Sequence, residues 1–184
     1  MSEQMTFHAD LTACVGCRTC ELACKDKQDL DIGVRWRRVR SLEGGEYPSP
    51  YVYNISMSCN HCADPACMKA CPTKAYSKNG QGIVIHDKAR CVGCRYCIMA
   101  CPYSSPQFNP HEGKVSKCDF CRDYLEQGKN PACVDACPLR VLHAGTQQEI
   151  EKKYHGTDNC RGVPDSNITK PSIRFTHKPQ SRLY

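Results

Sequence analysis

The chain has 184 residues, 17 of them cysteine, with 40% apolar residues and a formal net charge of +6 at pH 7. Without the cysteines the apolar share is about 31%, thin for two independent hydrophobic cores. No stretch approaches the roughly 20 apolar residues of a membrane-spanning helix, and MSEQMTFHAD at the N-terminus has neither the basic nor the apolar segment of a secretory signal.

Along the chain, cysteine groups alternate with short strand signals. The first group is CVGCRTCELAC (Cys14, Cys17, Cys20, Cys24). VRWRRVR (Val34 to Arg40) alternates loosely, and YVYNISM (Tyr51 to Met57) is rich in aromatic and β-branched residues, so both read as strands. The second group, CNHCADPACMKAC (Cys59, Cys62, Cys67, Cys71), precedes a turn signal NGQG and a short apolar run, GIVIH (Gly82 to His86), a third strand. The third group is CVGCRYCIMAC (Cys91, Cys94, Cys97, Cys101), and the fourth is CDFC with CVDAC (Cys118, Cys121, Cys133, Cys137). ELA, MKA, IMA and VDA, between the last two cysteines of each group, have fair helix propensity. Pro72, Pro102 and Pro138 follow three of the fourth cysteines, as expected where short helices meet at a metal site; Lys25 takes that place in the first group. QQEIEKKY (Gln147 to Tyr154) predicts a surface helix with Glu149 and Lys153 one turn apart. From Gly156 the chain carries Pro164, Pro171 and Pro179 and few core-type residues. That tail is expected to be disordered or laid across a partner.

Sixteen of the seventeen cysteines thus form four groups of four. The first and third have the C-x2-C-x2-C-x3-C run of bacterial ferredoxins, in which three thiolates bind one [4Fe-4S] cluster and the fourth reaches a neighbouring one. Four groups imply four [4Fe-4S] clusters. A disulfide framework is disfavoured by the odd cysteine count, by the tight loops and by the missing secretory signal. The spacing of the fourth group alone suits a structural zinc, but in the first and third a third thiolate arrives too soon for paired zinc ligands. The positive charge does not then point to nucleic acid: four oxidised clusters, each about −2 with its thiolates, bring the holoprotein to about −2. Arg18, Lys25, Lys69, Lys74 and Arg95, within or beside the groups, are read together as counterions, with solvated surface charge the alternative for any one of them. Metal binding is expected to supply the missing cohesion, so the chain without clusters should not fold.

Spacing permits sequential or nested pairing of the groups. The second and third are adjacent and pair as one two-cluster unit, leaving the first and fourth to pair around it. In that arrangement Cys14, Cys17, Cys20 and Cys137 hold cluster 1; Cys24, Cys118, Cys121 and Cys133 hold cluster 2; Cys59, Cys62, Cys67 and Cys101 hold cluster 3; and Cys71, Cys91, Cys94 and Cys97 hold cluster 4. The fold class expected is α+β: two ferredoxin-like two-cluster modules, one nested inside the other, with short strands, short helices and many loops. The outer module takes residues 1–50 and 118–150, the inner 51–117, and 151–184 form an extended C-terminal tail. Cys160 belongs to no group and reads as a free thiol. His61 reads as a packing or hydrogen-bonding residue because its group already has four cysteines. Trp36, Tyr96 and Tyr103 read as packing aromatics able to shield clusters. No catalytic set is visible: there is no nucleophile elbow and no Walker or Rossmann glycine pattern. The protein is therefore expected to be a non-catalytic electron-transfer component. A free-standing polyferredoxin carrier or a zinc-bearing interaction module are the rival classes.

CVGCRTCELACKD at 14–26, SCNHCADPACMKACP at 58–72, CVGCRYCIMACPY at 91–103, and KCDFC with NPACVDACPLR at 117–140 resemble the iron-sulfur electron-transfer subunits of dimethyl sulfoxide reductase. More broadly, they resemble the four-cluster subunits of polysulfide reductase, formate dehydrogenase and related molybdenum enzymes. The likeness covers roughly residues 5 to 145. It implies a catalytic partner with a molybdenum or tungsten bis-pterin cofactor, a membrane anchor subunit exchanging electrons with quinone, and nested pairing of the groups. With Cys94 and its companions intact, it implies a full [4Fe-4S] cluster at the third group. It also implies a soluble subunit of a membrane-associated complex active in anaerobic respiration, exported in some members with a partner's twin-arginine signal. No direct membrane span and no nucleic-acid partner are expected.

Overall fold

The computed structural model describes residues 3–182. Its elements are short, as a chain interrupted by cysteine loops dictates: the longest helix is α1 (Thr19–Lys27), and all others, helix or strand, have seven residues or fewer. In chain order they are β1 (Met5–Asp10), α1, β2 (Arg38–Gly44), β3 (Tyr51–Met57), α2 (Ala66–Lys69), β4 (Tyr76–Lys78), β5 (Val84–His86), α3 (Tyr96–Ala100), β6 (Gln107–Asn109) and β7 (Lys114–Ser116). There follow α4 (Arg122–Glu126), α5 (Ala132–Asp135), β8 (Leu142–Thr146), α6 (Gln147–Lys153) and β9 (Ile173–Thr176). The class is α+β.

β1 is the middle of a three-stranded sheet, antiparallel to β8 and parallel to β9. Both of its faces are covered, so Met5, Phe7 and Ala9 are buried on one and Thr6 and His8 on the other. Those two polar residues erase the apolar signal that would have marked the strand. Three antiparallel hairpins, β2–β3, β4–β5 and β6–β7, follow the first, second and third cysteine groups. The helices that carry cysteines pack in two pairs, α1 on α5 and α2 on α3. α6 begins with a complete capping box, Thr146 Oγ1 accepting from the Glu149 N–H and Glu149 Oε2 from the Thr146 N–H.

Two cores hold these pieces. The larger joins Phe7, Leu11, Tyr53, Ile55, Phe120, Leu142, Ile173 and Phe175 to buried thiols of the first, second and fourth groups, with Phe7 stacked on Phe120 at 4.0 Å. The smaller gathers Tyr76, Val84 and Val115 with Cys67 and Cys97. Cysteine is thus core material here, which is why so small an aliphatic fraction suffices.

Two expectations shift in position. The strand expected at 34–40 begins at Arg38, after Arg37 has turned into the core. The tail, expected to be disordered or on a partner, lies across the chain itself. Ile173 and Phe175 alternate inward on β9, and Phe175 exchanges backbone hydrogen bonds with Thr157. Two apolar residues suffice because β1 offers an open edge to pair with, a long-range fact invisible in local composition. Among the described residues no helix is long and apolar enough to cross a membrane.

Candidate iron-sulfur cluster sites

The first Cys-x-x-Cys loop of each group turns through the left-handed region at its third residue: Gly16 (φ 73°), His61 (φ 43°), Gly93 (φ 70°) and Phe120 (φ 66°). At Gly16 a Cβ would stand 2.7 Å from Asn54 Oδ1, and at Gly93 one would strike the Gly113 carbonyl, so glycine is required at both. A second device follows the fourth cysteine. In the three groups that read Cys-Pro, the third residue on is again left-handed (Lys74 51°, Ser104 52°, Arg140 52°). This turn brings the next backbone N–H back onto the sulfur: Ala75 N to Cys71 Sγ is 3.3 Å and Val141 N to Cys137 Sγ 3.4 Å. The Ser105 N–H and hydroxyl face Cys101. In the first group, where Lys25 replaces proline, α1 runs on through Lys27, and the N–H facing Cys24 is that of Arg37, from a separate loop.

The loops bring distant cysteines together. One cavity is lined by Cys14, Cys17, Cys20 and Cys137, with Val15, Val39, Leu139, Val141 and Leu142 around them. A second is lined by Cys59, Cys62, Cys67 and Cys101, with Pro65, Val84, Pro102 and Tyr103. Cys24 has Cys133 and Cys121 within charge-interaction range, and Cys118 has Cys24 and Cys133. Cys97 stands in the same relation to Cys71, Cys91 and Cys94. Neighbouring sets adjoin through Cys20 and Cys133, and through Cys118 and Cys59. Tyr76, its hydroxyl beside Cys97, also faces Cys67 and Cys59. Cys17 and Cys94 are the only exposed cysteines of the seventeen.

Burial pushes the Cys24, Cys62 and Cys67 thiols up to about 12 and Cys118 well above its ordinary value. The exposed Cys17 is drawn down by the hydroxyl and N–H of Thr19. Buried thiols become ligands only by losing protons, so a metal must bear that desolvation cost and its binding releases protons. Further donors stand ready for thiolate: Ser56 Oγ is 3.3 Å from Cys20 Sγ, Thr169 Oγ1 3.2 Å from Cys62 Sγ, and the Gly93 and Phe120 N–H groups each 3.4 Å from Cys91 and Cys118 sulfurs. Among the described residues no three His, Cys, Asp or Glu side chains converge as a single ion requires, where zinc–sulfur bonds are about 2.3 Å. The sulfurs surround apolar-walled spaces instead, a donor set suited to iron-sulfur clusters.

Of the residues read as counterions, Arg18 is exposed and lines the first cavity. Lys69 pairs with Asp64, Lys25 ties the Leu30 and Asp31 carbonyls, and Arg95 stacks on Phe108 at 3.6 Å. The buried cations are Arg37 and Lys117, which no sequence signal set apart. Burial works against the Arg37 charge, but the thiolates of Cys133, Cys20, Cys118 and Cys24 outweigh it and hold its pKa up. Lys117 Nζ donates to the Val84 and Cys118 carbonyls and lines the second cavity. His61 accepts from the Val84 N–H through Nδ1 at 3.1 Å and meets Phe120 edge-on. Cys160 is buried apart from every set, its thiol donating to the Arg161 carbonyl. Tyr103 walls the second cavity, Trp36 donates to Ser116 Oγ at 2.9 Å, and Tyr96 is exposed.

Thiol-lined, apolar-walled spaces served by backbone donors on an α+β frame of short elements define a ferredoxin-type carrier of [4Fe-4S] clusters. A 4Fe-4S dicluster domain family matches residues 51–147. The sequence is 43% identical over 190 residues to the B subunit of the anaerobic dimethyl sulfoxide reductase of Haemophilus influenzae, covering 98% of this protein and 93% of that one. It is equally identical to the subunit of the same name in Escherichia coli, over 99% and 93% of the two proteins. The formate dehydrogenase-O iron-sulfur subunit of Escherichia coli is 33% identical over 210 residues, 99% of this protein and 70% of that one. The protein belongs to the family of iron-sulfur electron-transfer subunits that includes the dimethyl sulfoxide reductase B subunit, and it carries four [4Fe-4S] clusters.

Proposed function

We propose that this protein relays electrons between a membrane anchor subunit that exchanges electrons with quinone and a molybdenum, or tungsten, bis-pterin catalytic subunit of dimethyl sulfoxide reductase type. The observation that carries the reading is likeness over nearly the whole length, at 43% identity, to proteins named as the B subunit of such a reductase. When bound, each cluster supplies a one-electron redox centre. The protein's part is to hold the thiolates, exclude water and aim N–H groups at sulfur.

The ligand sets are Cys14, Cys17, Cys20 and Cys137; Cys24, Cys118, Cys121 and Cys133; Cys59, Cys62, Cys67 and Cys101; and Cys71, Cys91, Cys94 and Cys97. The two thiol-lined cavities support the first and third sets, and the charge neighbours of Cys24, Cys118 and Cys97 support the others. The pairing of α1 with α5 and of α2 with α3 supports a nested organisation, residues 1–50 with 118–150 outside and 51–117 inside. Of the tail expected at 151–184, the described residues, to 182, are then an extension that returns to the outer sheet through β9. The adjoining sets make a line from cluster 1 to cluster 4, and exposed Cys17 and Cys94 lie in its two terminal sets. A relay needs such ends, where centres on other subunits can come close.

Iron and acid-labile sulfide on the purified holoprotein test the cargo: about sixteen of each per molecule are expected, and values near eight would overturn the four-cluster assignment. Co-expression with the two partner subunits should yield one membrane-associated complex whose clusters are reduced by quinol. A protein that stays monomeric beside both partners would instead be a free carrier.

A further inference from the structure

Arg37 is the largest fully buried side chain, at 1% exposure, and none of the ion pairs among the described residues includes it. Its hydrogen bonds go to neutral oxygens alone: Nη1 to Ser56 O at 3.3 Å and Ser56 Oγ at 3.1 Å, and Nη2 to Ser58 Oγ at 3.0 Å. Nε has no partner, and the guanidinium carbon lies 4.8 Å from the Phe7 ring centroid. A buried cation with only neutral partners costs several kcal/mol, and an apolar side chain of similar length would fill the space at less expense. Negative charge must therefore stand close by, and the thiols are where it arises. Ser56 Oγ bridges Nη1 to Cys20 Sγ, while the Arg37 N–H faces Cys24. Cys20 and Cys24 lie one turn apart on α1 and belong to different ligand sets. Cys118 and Cys133 of the second set are also within range of the guanidinium charge.

We propose that Arg37 is the buried counter-cation shared by clusters 1 and 2, and that its positive charge raises the reduction potentials of both. Reduction adds negative charge to a cluster, so a fixed cation beside it favours the reduced state, and net charge and hydrogen bonding are the terms that set such potentials. The residue acts as a positioning and tuning group at the junction of two sites. The inference rests on the ligand sets given above.

The test is an EPR-monitored redox titration of the holoprotein, with iron counted on the same samples. Arg37→Gln, at wild-type iron content, should lower two of the four midpoint potentials, those of the clusters whose signals respond to Cys137→Ser and Cys121→Ser. The other two should stay in place, and Arg37→Lys should restore most of the shift. No movement in any potential, or an equal movement in all four, would overturn the proposal. Should Arg37→Gln not load, Arg37→Met is the second neutral variant. If neither loads, Arg37→Lys decides: full iron supports a requirement for charge, and lost iron overturns it in favour of guanidinium shape. Fewer than about sixteen irons in the wild-type protein would instead count against the four-cluster reading itself.

Discussion

Cys137 opens a Cys-Pro turn more than a hundred residues beyond Cys20, yet the two line one cavity with Cys14 and Cys17. Cys137→Ser is therefore expected to perturb the cluster of the first group, seen as loss or conversion of its EPR signal. A change confined to the cluster of Cys118 and Cys121 would sink the crossing. A second residue reports on pH. His8 is buried between Tyr154, stacked at 4.3 Å, and Thr176 Oγ1, at 2.9 Å, with His143 beyond. Burial first, and then the charge of His143, lower it from 6.5 to about 4 against the upward pull of Asp10. Between those values the unfolded state binds the proton and the native one does not, so stability falls as pH drops from about 6.5 towards about 4. Between about pH 7.5 and 5.5 the loss is about 1 kcal/mol. Melting the wild type and His8→Gln at these two pH values should show a smaller drop for the variant, and identical drops would refute the assignment. The groups of four cysteines were legible residue by residue because ligand spacing is local. Arg37 and Lys117 were not, because nothing in VRWRRVR or SKCDF distinguishes a buried cation from a solvated one.

At the scale of elements, legibility followed how local the stabilising interaction is. YVYNISM matches β3 residue for residue, and QQEIEKK matches α6, whose capping box lies within four consecutive residues. The short helices expected between the last cysteines of each group are there as part of α1, α2, α3 and α5. β1, β8 and β9 were missed together. They form one sheet whose partners lie at opposite ends of the sequence, and β1 buries polar Thr6 and His8 beside its apolar residues. β9 is the clearest case, since SIRFT contributes only two buried apolar residues, Ile173 and Phe175, both essentially without exposure. Phe175→Ala should cost about 3 to 5 kcal/mol, read as a lower midpoint for thermal bleaching of the clusters. An unchanged midpoint would mean that the strand contributes no core.

For the whole molecule, cohesion comes from thiols as much as from hydrocarbon. Six cysteines of the first, second and fourth groups sit in the larger core, and Cys67 and Cys97 in the smaller. Stripped of iron, those positions become protonated thiols around apolar gaps, and the interior loses the bonds that tie the ends of the molecule together. Anaerobic removal of iron by a chelator should abolish the far-ultraviolet signature and cooperative melting, with both returning on reconstitution. An iron-free protein that kept a cooperative transition and protease resistance would contradict this.

By itself the sequence determined the cargo and the class, because cluster binding is written in cysteine spacings a few residues long, and turn geometry follows from glycine and proline within the same loops. Spacing alone permits sequential or nested pairing of the groups, of which the nested one is the expectation, and it leaves open where the buried charge sits and what the tail does. The tertiary structure decided that Arg37 and Lys117 are the interior cations and that β9 closes the sheet on β1, and it brought Cys137 beside Cys14, Cys17 and Cys20. The physical reason is common to all three: each depends on charges, sulfurs or strand edges meeting across long stretches of sequence, a relation that no local pattern encodes.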